Sequence, residues 1–395
     1  MWGGELNNRL LYIDYNMFGK KDIIEAFSEC GYDVTKIDYP IIYGENTEKT
    51  YEMLRTEISK GYGIVFTSNY YPMVSDVCKN FETKYISWTY DSPRISLYDA
   101  SINNDCNYAF LFDSGECKSL RAKGVTRVFY MPLGVNTKRI KALEVSSKDR
   151  ELFSSDISLV ASLYNEEHNL YDRLYEKLED YYEGYIEAVV DGQRNVFGAS
   201  ILEESLNDNV LKALYNAMPY GEDKNNYSDN RYIYANYFLA RKAATYQRKD
   251  FIRAISKRYN MKVYTPGDIS DIPTAMHMGT VDYETDMNKV FRLSKINLNI
   301  TLPSIKTGIP LRALDIMGAG GFLLTDYRLD MQGLFEPGTD YEYYTSIDDA
   351  LNKIAYYLEH EDERKIIAEN GRKKIELEFT YLARIKEILD IVNNS

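Results

Sequence analysis

The sequence predicts an α/β protein of two domains, each built on a parallel β-sheet covered by helices on both faces. The chain of 395 residues is long for one compact core. In its first third, short apolar runs that end in a polar or acidic residue alternate with amphipathic helical stretches. The same alternation resumes after residue 260, beyond a largely helical region at about 168–258.

The first domain, predicted at 1–145, begins with an apolar run and a helical stretch. Its strand-like runs are RLLYIDYN (9–16), YGIVFTSN (62–69), KYISWTYD (84–91), YAFLFDS (108–114) and VFYMPLGVN (128–136). Ligands of parallel sheets bind beyond the carboxyl ends of the strands. The polar residues there are Asp14, Asn69, Asp91 and Asp113. Each of them also fits a helix cap or a turn, so one or two are expected to be functional.

The second domain, predicted at 146–376, contains the helical region as an insertion. Its strand-like runs are DISLVASLYN (156–165), MKVYTPG (261–267), KINLNITL (295–302), FLLTD and DYEYYTS (340–346). A last helix, at 377–395, is expected to pack back toward the first domain.

Two features are expected within the insertion. A Pro-Gly-polar break falls at MPYGEDKNNYSDN (218–230). The stretch at 231–260 is basic, with apolar residues at helical spacing: Tyr234, Phe238, Phe251, Ile255 and Tyr259. A helix on a membrane surface fits this pattern. A domain helix with a basic face toward solvent fits it better.

Charge and composition exclude several classes of protein. Lys plus Arg is 47 and Asp plus Glu is 60, which gives a formal net charge of −13. This balance disfavours nucleic acid or an anionic membrane as the main partner. The start, MWGGELNNRLLYID, has no export signal, and no apolar run has the length of a membrane span. We therefore expect a cytoplasmic protein without integral membrane segments.

Neither a disulfide framework nor a metal site is expected. The four cysteines are dispersed, without a CxxC pair, at Cys30, Cys78, Cys106 and Cys117. The three histidines, also far apart, are His168, His277 and His360. No DxD triplet occurs, which argues against a site where a metal ion offsets a leaving diphosphate.

The stretch GIPLRALDIMGAGGFLLTD (308–326) carries the clearest chemical signal. A helix is expected between two strands, with Pro310 in its first turn and glycines at its end. Backbone N–H groups and the helix dipole at such a start favour a diphosphate. Lys306 and Arg312 would neutralise phosphate oxygens, and Asp315, one turn further, would accept hydrogen bonds from a ribose diol. A solvent-exposed Arg312–Asp315 ion pair is the equally weighted alternative.

The motif DIMGAGGFLL resembles the donor site of GT-B glycosyltransferases, and the wider pattern resembles the CgeB-like (spore maturation protein B) family. The similar segments include KINLNIT (295–301), GGFLLTD, LFEPGTDYEYYTSIDDALNKIAYYL (334–358), ERKIIAENGRKKI, SWTYDSPR (87–94), FLFDSGE and VFYMPLGVN. They cover roughly 60–145 and 260–385 and leave the helical insertion outside. The resemblance implies two facing Rossmann-like domains. It also implies transfer of a sugar from a nucleotide diphosphate sugar, expected to be UDP-linked, to a protein or glycan acceptor. No cofactor is implied beyond that donor, and a homodimer is left open.

The resemblance also implies residue roles. Asp315 is then the ribose ligand and Arg312 a diphosphate ligand. Further donor-site residues are Lys306, Thr307, Gly308, Gly320 and, in the loop HMGTVDYETDM, Gly279 and Tyr283.

The sequence departs from the family in the acidic residues. The family's acid is usually Glu where this chain has Asp315, and Thr307 stands where retaining enzymes often carry a second acid. For an inverting reaction, Asp91 in YDSPR is the candidate base, with Arg94 orienting it or touching phosphate. A cap of the local turn is an equal alternative for Asp91. Asp14 and Asn69 stay candidates on the acceptor or phosphate side.

Two other classes of function remain open on the same fold. One is a catalytically silent scaffold that binds a glycan or assembles a spore or cell-surface layer. The other is a nucleotide-sugar epimerase, which the absence of a histidine-rich region disfavours.

Overall fold

The structure, a computed structural model, describes residues 7–39, 48–220 and 229–394. The contacts divide the chain into two compact units. Unit 1 contains the described residues up to Gly134 and again those from Phe379 onward, and unit 2 contains those from Val135 to Glu378. The start of the chain and most of the polar break expected at 218–230 lie outside the described residues.

Strands and helices alternate along most of the chain. The strands are β1 (Arg9–Asp14), β2 (Asp33–Asp38), β3 (Ile64–Ser68), β4 (Lys84–Thr89), β5 (Asn107–Leu111), β6 (Val128–Tyr130), β7 (Ser155–Val160), β8 (Met261–Tyr264), β9 (Met276–His277), β10 (Ser294–Asn299), β11 (Leu323–Asp326) and β12 (Glu342–Tyr344). The helices are α1 (Lys20–Glu29), α2 (Glu48–Ile58), α3 (Pro72–Asn80), α4 (Ser114–Ala122), α5 (Thr137–Ala142), α6 (Ser147–Phe153), α7 (Leu170–Tyr175), α8 (Asp180–Arg194), α9 (Asp208–Ala217), α10 (Asn230–Ile233), α11 (Ala240–Ser256), α12 (Asp286–Leu293), α13 (Leu311–Gly318), α14 (Ile347–Glu359), α15 (Glu361–Glu378) and α16 (Tyr381–Asn394).

Unit 1 is built on a six-stranded sheet in the order β2-β1-β3-β4-β5-β6. All of its pairs are parallel. Every residue of β3 and β5 is buried, as expected of parallel strands with helices on both faces. Helix α16 belongs to this unit and packs on α1.

Unit 2 is built on a second six-stranded sheet in the order β12-β11-β10-β7-β8-β9, again with parallel pairs throughout. Its core lies between these strands and α11, α14 and α15. The carboxyl ends of β7, β10 and β11 therefore open on one edge of the sheet, where the segments that follow them meet.

The helical insertion of unit 2 joins this core through α11. Tyr234, Phe238, Phe251 and Ile255 are all fully buried. Since these apolar residues face the interior, the stretch is a domain helix and the membrane-surface alternative is wrong. A π-helical segment, Tyr234–Leu239, which the sequence did not suggest, leads directly into α11. Within the described ranges, no helix is long and apolar enough to cross a bilayer.

Candidate functional site

Helix α13 begins after the loop that follows β10, as expected, and places Asp315 in the interior of unit 2. Asp315 is buried, with only 3% of its surface exposed. The hydroxyl of Tyr283 donates to its Oδ1 at 3.4 Å. Because the carboxylate is buried, the alternative of a solvent-exposed ion pair with Arg312 is wrong. The structure thus brings together two of the predicted donor-site residues, Asp315 and Tyr283.

Arg312 lies one turn before Asp315 and is held by apolar groups. Its guanidinium carbon lies 5.6 Å from the ring centroid of Phe291, and its Nη1 contacts Sδ of Met287. Burial lowers the pKa of Arg312, and the nearby charge of Asp315 opposes this shift. None of its contacts with described residues is an ion pair. The arrangement leaves a desolvated cation that an anionic ligand would stabilise.

The loop before α13 is anchored by Arg328, which is 2% exposed. Its Nη2 donates to the carbonyl oxygen of Ile305 at 2.6 Å, and its Nε donates to that of Gly308 at 3.2 Å. Its Nη1 lies 3.3 Å from Oδ2 of Asp326. The other oxygen of Asp326 accepts from the amide and hydroxyl of Thr301, at 2.9 and 2.6 Å. Both ends of the loop are therefore tied to the end of β11.

Asp326 and Arg328 are residues of the candidate site that the sequence analysis did not identify. The signal was the segment TDYR directly after the apolar run of β11. Polar residues at the carboxyl end of a parallel strand are typical of a ligand site. The two carbonyl groups that Arg328 binds, however, are about twenty residues away in sequence, so the sequence pattern did not reveal them.

Lys306 and Thr307 lie in the anchored loop. The carbonyl oxygen of Thr307 accepts from the amide of Asp330 at 3.1 Å. The ammonium group of Lys306 lies 6.0 Å from the ring centroid of Tyr232, which belongs to α10. The helical insertion therefore contributes a side chain next to the predicted phosphate loop.

Of the predicted donor-site glycines, Gly308 lies in the anchored loop, whereas Gly320 and Gly279 lie elsewhere. Gly320 has a φ of +80° just beyond the carboxyl end of α13. Its amide donates to the carbonyl of Met317, and that of Gly321 donates to Ile316, which is the pattern of a Schellman cap. The cap explains why a glycine stands at position 320, at the end of α13 that lies away from the anchored loop. Gly279, with a φ of +70°, lies between β9 and α12.

In unit 1, the structure brings together Asn69 and Asp91, at the ends of β3 and β4. Asn69 has a left-handed backbone, with a φ of +69°. Its Nδ2 donates to Oδ2 of Asp91 at 2.7 Å, while its Oδ1 accepts from the amides of Tyr90 and Asp91 at 2.9 and 3.1 Å. Asp91 itself is exposed. Its carboxylate is therefore oriented by Asn69 and still accessible on its outer side.

Asp14, at the end of β1, lies next to two lysines. Its Oδ2 lies 2.8 Å from Nζ of Lys20 and 3.4 Å from Nζ of Lys36. Burial raises the pKa of this carboxyl, but the bonds from Lys20, from the amide of Met17 and from Lys36 outweigh burial and leave the pKa below its ordinary value. Asp14 is therefore an ionised, paired carboxylate.

Arg94 and Asp113 make local contacts. Arg94 donates to Oγ of Ser96 at 3.0 Å and to the carbonyl oxygen of Tyr70 at 3.3 Å. The structure gives it no contact with Asp91. Asp113 accepts from the amides at the start of α4, so it acts as the helix cap that was its alternative interpretation. Among the described residues, no group of three or more His, Cys, Asp or Glu side chains could hold a metal ion.

The chain is similar to known glycosyltransferases. Residues 241–390 match the family model described as glycosyl transferase-like. No curated protein matches the sequence significantly. Among solved structures, sucrose-phosphate synthase from Thermosynechococcus elongatus aligns over 98% of both chains at 12% identity, with a TM-score of 0.57. A glycosyltransferase from Rickettsia africae aligns over 97% of both chains at 11% identity, with a TM-score of 0.54.

A third similar structure is HepE of Anabaena in complex with UDP and glucose. It aligns over 98% of this chain and 100% of its own, at 10% identity and with a TM-score of 0.52. The matched family segment contains α13 with Arg312 and Asp315, and also Arg328. The fold over nearly the whole chain and the domain match confirm two predictions: the protein has the GT-B fold and is an enzyme of the glycosyltransferase class.

Proposed function

We propose that this glycosyltransferase moves a sugar from a nucleotide diphosphate sugar to a hydroxyl group of a protein or glycan, without a metal ion. The observation that carries the proposal is the geometry of α13. A buried carboxylate at Asp315, next to the Tyr283 hydroxyl, is suited to a ribose diol. One turn earlier, the desolvated guanidinium of Arg312 is suited to phosphate oxygens.

We propose a UDP-linked donor. Support comes from HepE, whose structure contains UDP and glucose. Membership of the CgeB-like family, with a role in spore maturation, rests on the shared motifs and is likewise a proposal.

In this proposal, the chain's own groups stabilise the leaving diphosphate. The amide groups at the start of α13 and the charges of Arg312 and Lys306 would face the negative charge that develops as the sugar bond breaks. Arg328 would act as a positioning residue, because it fixes the carbonyls of Ile305 and Gly308 on either side of Lys306.

Asp91 is the proposed base for an inverting reaction. The hydrogen bond from Asn69 fixes one carboxylate oxygen, and the exposed side leaves an oxygen for the acceptor hydroxyl. Thr307, in place of a second acid, supports inversion over the retaining mechanism that uses such an acid.

The experiment measures release of nucleotide diphosphate from a panel of UDP-, GDP- and ADP-linked sugars. We expect release with at least one UDP-sugar, and loss of turnover in Asp91→Asn with donor affinity intact. The matched control is Asp348→Asn, an exposed residue in the first turn of α14. Binding of a donor without any turnover would favour the silent scaffold, and no binding of any nucleotide sugar would refute the proposal.

A further inference from the structure

The segment after β7 carries a strained tyrosine between two arginines. Tyr164 has a φ of +54°, which is uncommon for a bulky residue and costs on the order of 1 kcal/mol. The guanidinium carbons of Arg241 and Arg248 lie 5.7 and 5.1 Å from its ring centroid. The two arginines are seven residues apart on α11 and therefore share a face of the helix. Between them, Thr245 donates to the carbonyl of Leu163 at 2.8 Å and holds the segment in place.

Arg248 links this segment to the predicted donor site. Its Nη1 donates to the carbonyl of Ser162, after β7, and its Nη2 donates to that of Ile300, after β10, at 2.9 Å. Arg248 is 6% exposed, and its buried Nε has no hydrogen-bond partner among the described residues. Ile300 is the first residue of the loop that leads to α13. The arginine thus places an uncompensated charge at the edge of the sheet where the donor is proposed to bind.

Arg241 is a cation without an ion-pair partner within residues 7–39, 48–220 and 229–394, and its buried Nε has no hydrogen-bond partner there. Other cations of α11 are paired: Lys242 lies 2.9 Å from Asp172, and Lys249 lies 2.9 Å from Asp271. In a chain with a net charge of −13, carboxylates are plentiful. The face of α11 toward Tyr164 is therefore distinct, because no carboxylate of the described part of the chain forms an ion pair with its arginines.

The charge of Arg248 also reaches Arg312. Burial is the main reason why the pKa of Arg312 is lowered, and the charge of Arg248 lowers it further. The two positively charged guanidinium groups therefore repel each other. The carboxylate of Asp315 compensates part of the charge of Arg312. The repulsion from Arg248 still costs free energy, and a multivalent anion would offset that cost.

We propose that Arg241 and Arg248, with Tyr164 between them, form a second anion subsite that binds the diphosphate of the donor together with Arg312. Arg241, which is half-buried, would donate to phosphate oxygens from its terminal nitrogens. Arg248 would act as a positioning residue that holds the segments after β7 and β10 and adds its charge. The proposal rests on the proposed function, because it places part of the donor on α11 of the helical insertion.

Calorimetric titration of the full chain with inorganic pyrophosphate at low ionic strength tests the subsite without a sugar or a nucleotide base. Arg241→Gln removes a cation that makes no hydrogen bond or ion pair within the described protein, so the variant is expected to fold. We expect its affinity for pyrophosphate to fall about tenfold or more, the loss typical of one charge-assisted hydrogen bond. The matched control is Arg253→Gln on the same helix, where the guanidinium is paired with Asp271. Its affinity should stay within about twofold of the wild type.

Arg248→Lys is the second variant, because it keeps the charge but cannot hold both carbonyl groups. We expect it to weaken pyrophosphate binding and to raise the KM for the donor more than it lowers kcat. Absence of pyrophosphate binding by the wild type, or equal weakening in Arg241→Gln and Arg253→Gln, would overturn the proposal.

The outcomes separate this subsite from the function on which it rests. If the wild type turns over a nucleotide sugar and Arg241→Gln has the same KM and kcat, the subsite is wrong and the function stands. If pyrophosphate binding depends on Arg241 but no nucleotide sugar is bound, the subsite stands as an anion site and the donor proposal falls.

Discussion

Replacement of Arg328 by lysine tests whether the loop before α13 is held by a buried guanidinium. The arginine serves two carbonyl groups, of Ile305 and Gly308, and the carboxylate of Asp326. Lysine keeps the charge, but its single ammonium group cannot reach all three acceptors. Loss of two hydrogen bonds from a charged donor, at roughly 1.5 kcal/mol or somewhat more each, is expected to lower the free energy of unfolding by about 2–4 kcal/mol. For a domain of this size, that corresponds to a decrease in Tm of about 4–16 °C.

Differential scanning calorimetry measures the decrease in Tm, and a donor titration measures the effect on the loop. We expect both stability and donor affinity to fall in Arg328→Lys. The control is Arg253→Lys, because Arg253 is 42% exposed and its pairing with Asp271 is on the surface. That variant should change stability by less than about 1 kcal/mol. Wild-type Tm and donor affinity in Arg328→Lys would refute the view that this side chain organises the loop.

Two further predictions concern packing and charge. Gly321→Ala would place a methyl group 2.6 Å from Nδ2 of Asn297 and 2.7 Å from the carbonyl oxygen of Phe291, so urea unfolding should show a loss of about 1–3 kcal/mol; unchanged stability would contradict this close packing. Asp14, whose pKa is lowered in the folded state, contributes stability that is fully present above its unfolded pKa and is lost as the pH falls through its folded pKa. The free energy of unfolding of Asp14→Asn should therefore be about 1–3 kcal/mol below that of the wild type at pH 6, and this difference should shrink as the pH is lowered below about 4. A difference that does not change with pH would rule out this role for the ionised carboxylate.

The regular part of the fold was predictable because buried parallel strands are short apolar runs. Strands such as β3 and β5, which are wholly buried, are visible in the sequence for that reason. Strand β9 was missed because it has only two residues and both are exposed, so it carries no apolar signal. The π-helical segment Tyr234–Leu239 has the same apolar spacing as the α-helices around it and could not be distinguished from them.

The candidate site was predictable where its residues are close in sequence. Arg312 and Asp315 were found because helical spacing places them one turn apart on α13. The anchoring of the loop by Arg328 and the bridge made by Arg248 depend on contacts between distant segments, which no local pattern encodes. For Gly320 the local sequence was ambiguous, because glycine is favoured both at a ligand site and at a helix cap. The hydrogen bonds of Gly320 and Gly321 identify the cap.

Titration of a UDP-sugar into the wild type and into Asp315→Asn tests the central claim most directly. The substitution removes the charge of a buried carboxylate that is proposed to bind the ribose diol, while it keeps the shape of the side chain. We expect the wild type to bind and Asp315→Asn to bind about 10- to 100-fold more weakly, with its fold intact by circular dichroism. Equal affinity in the two proteins would contradict the assignment of this site to a nucleotide sugar.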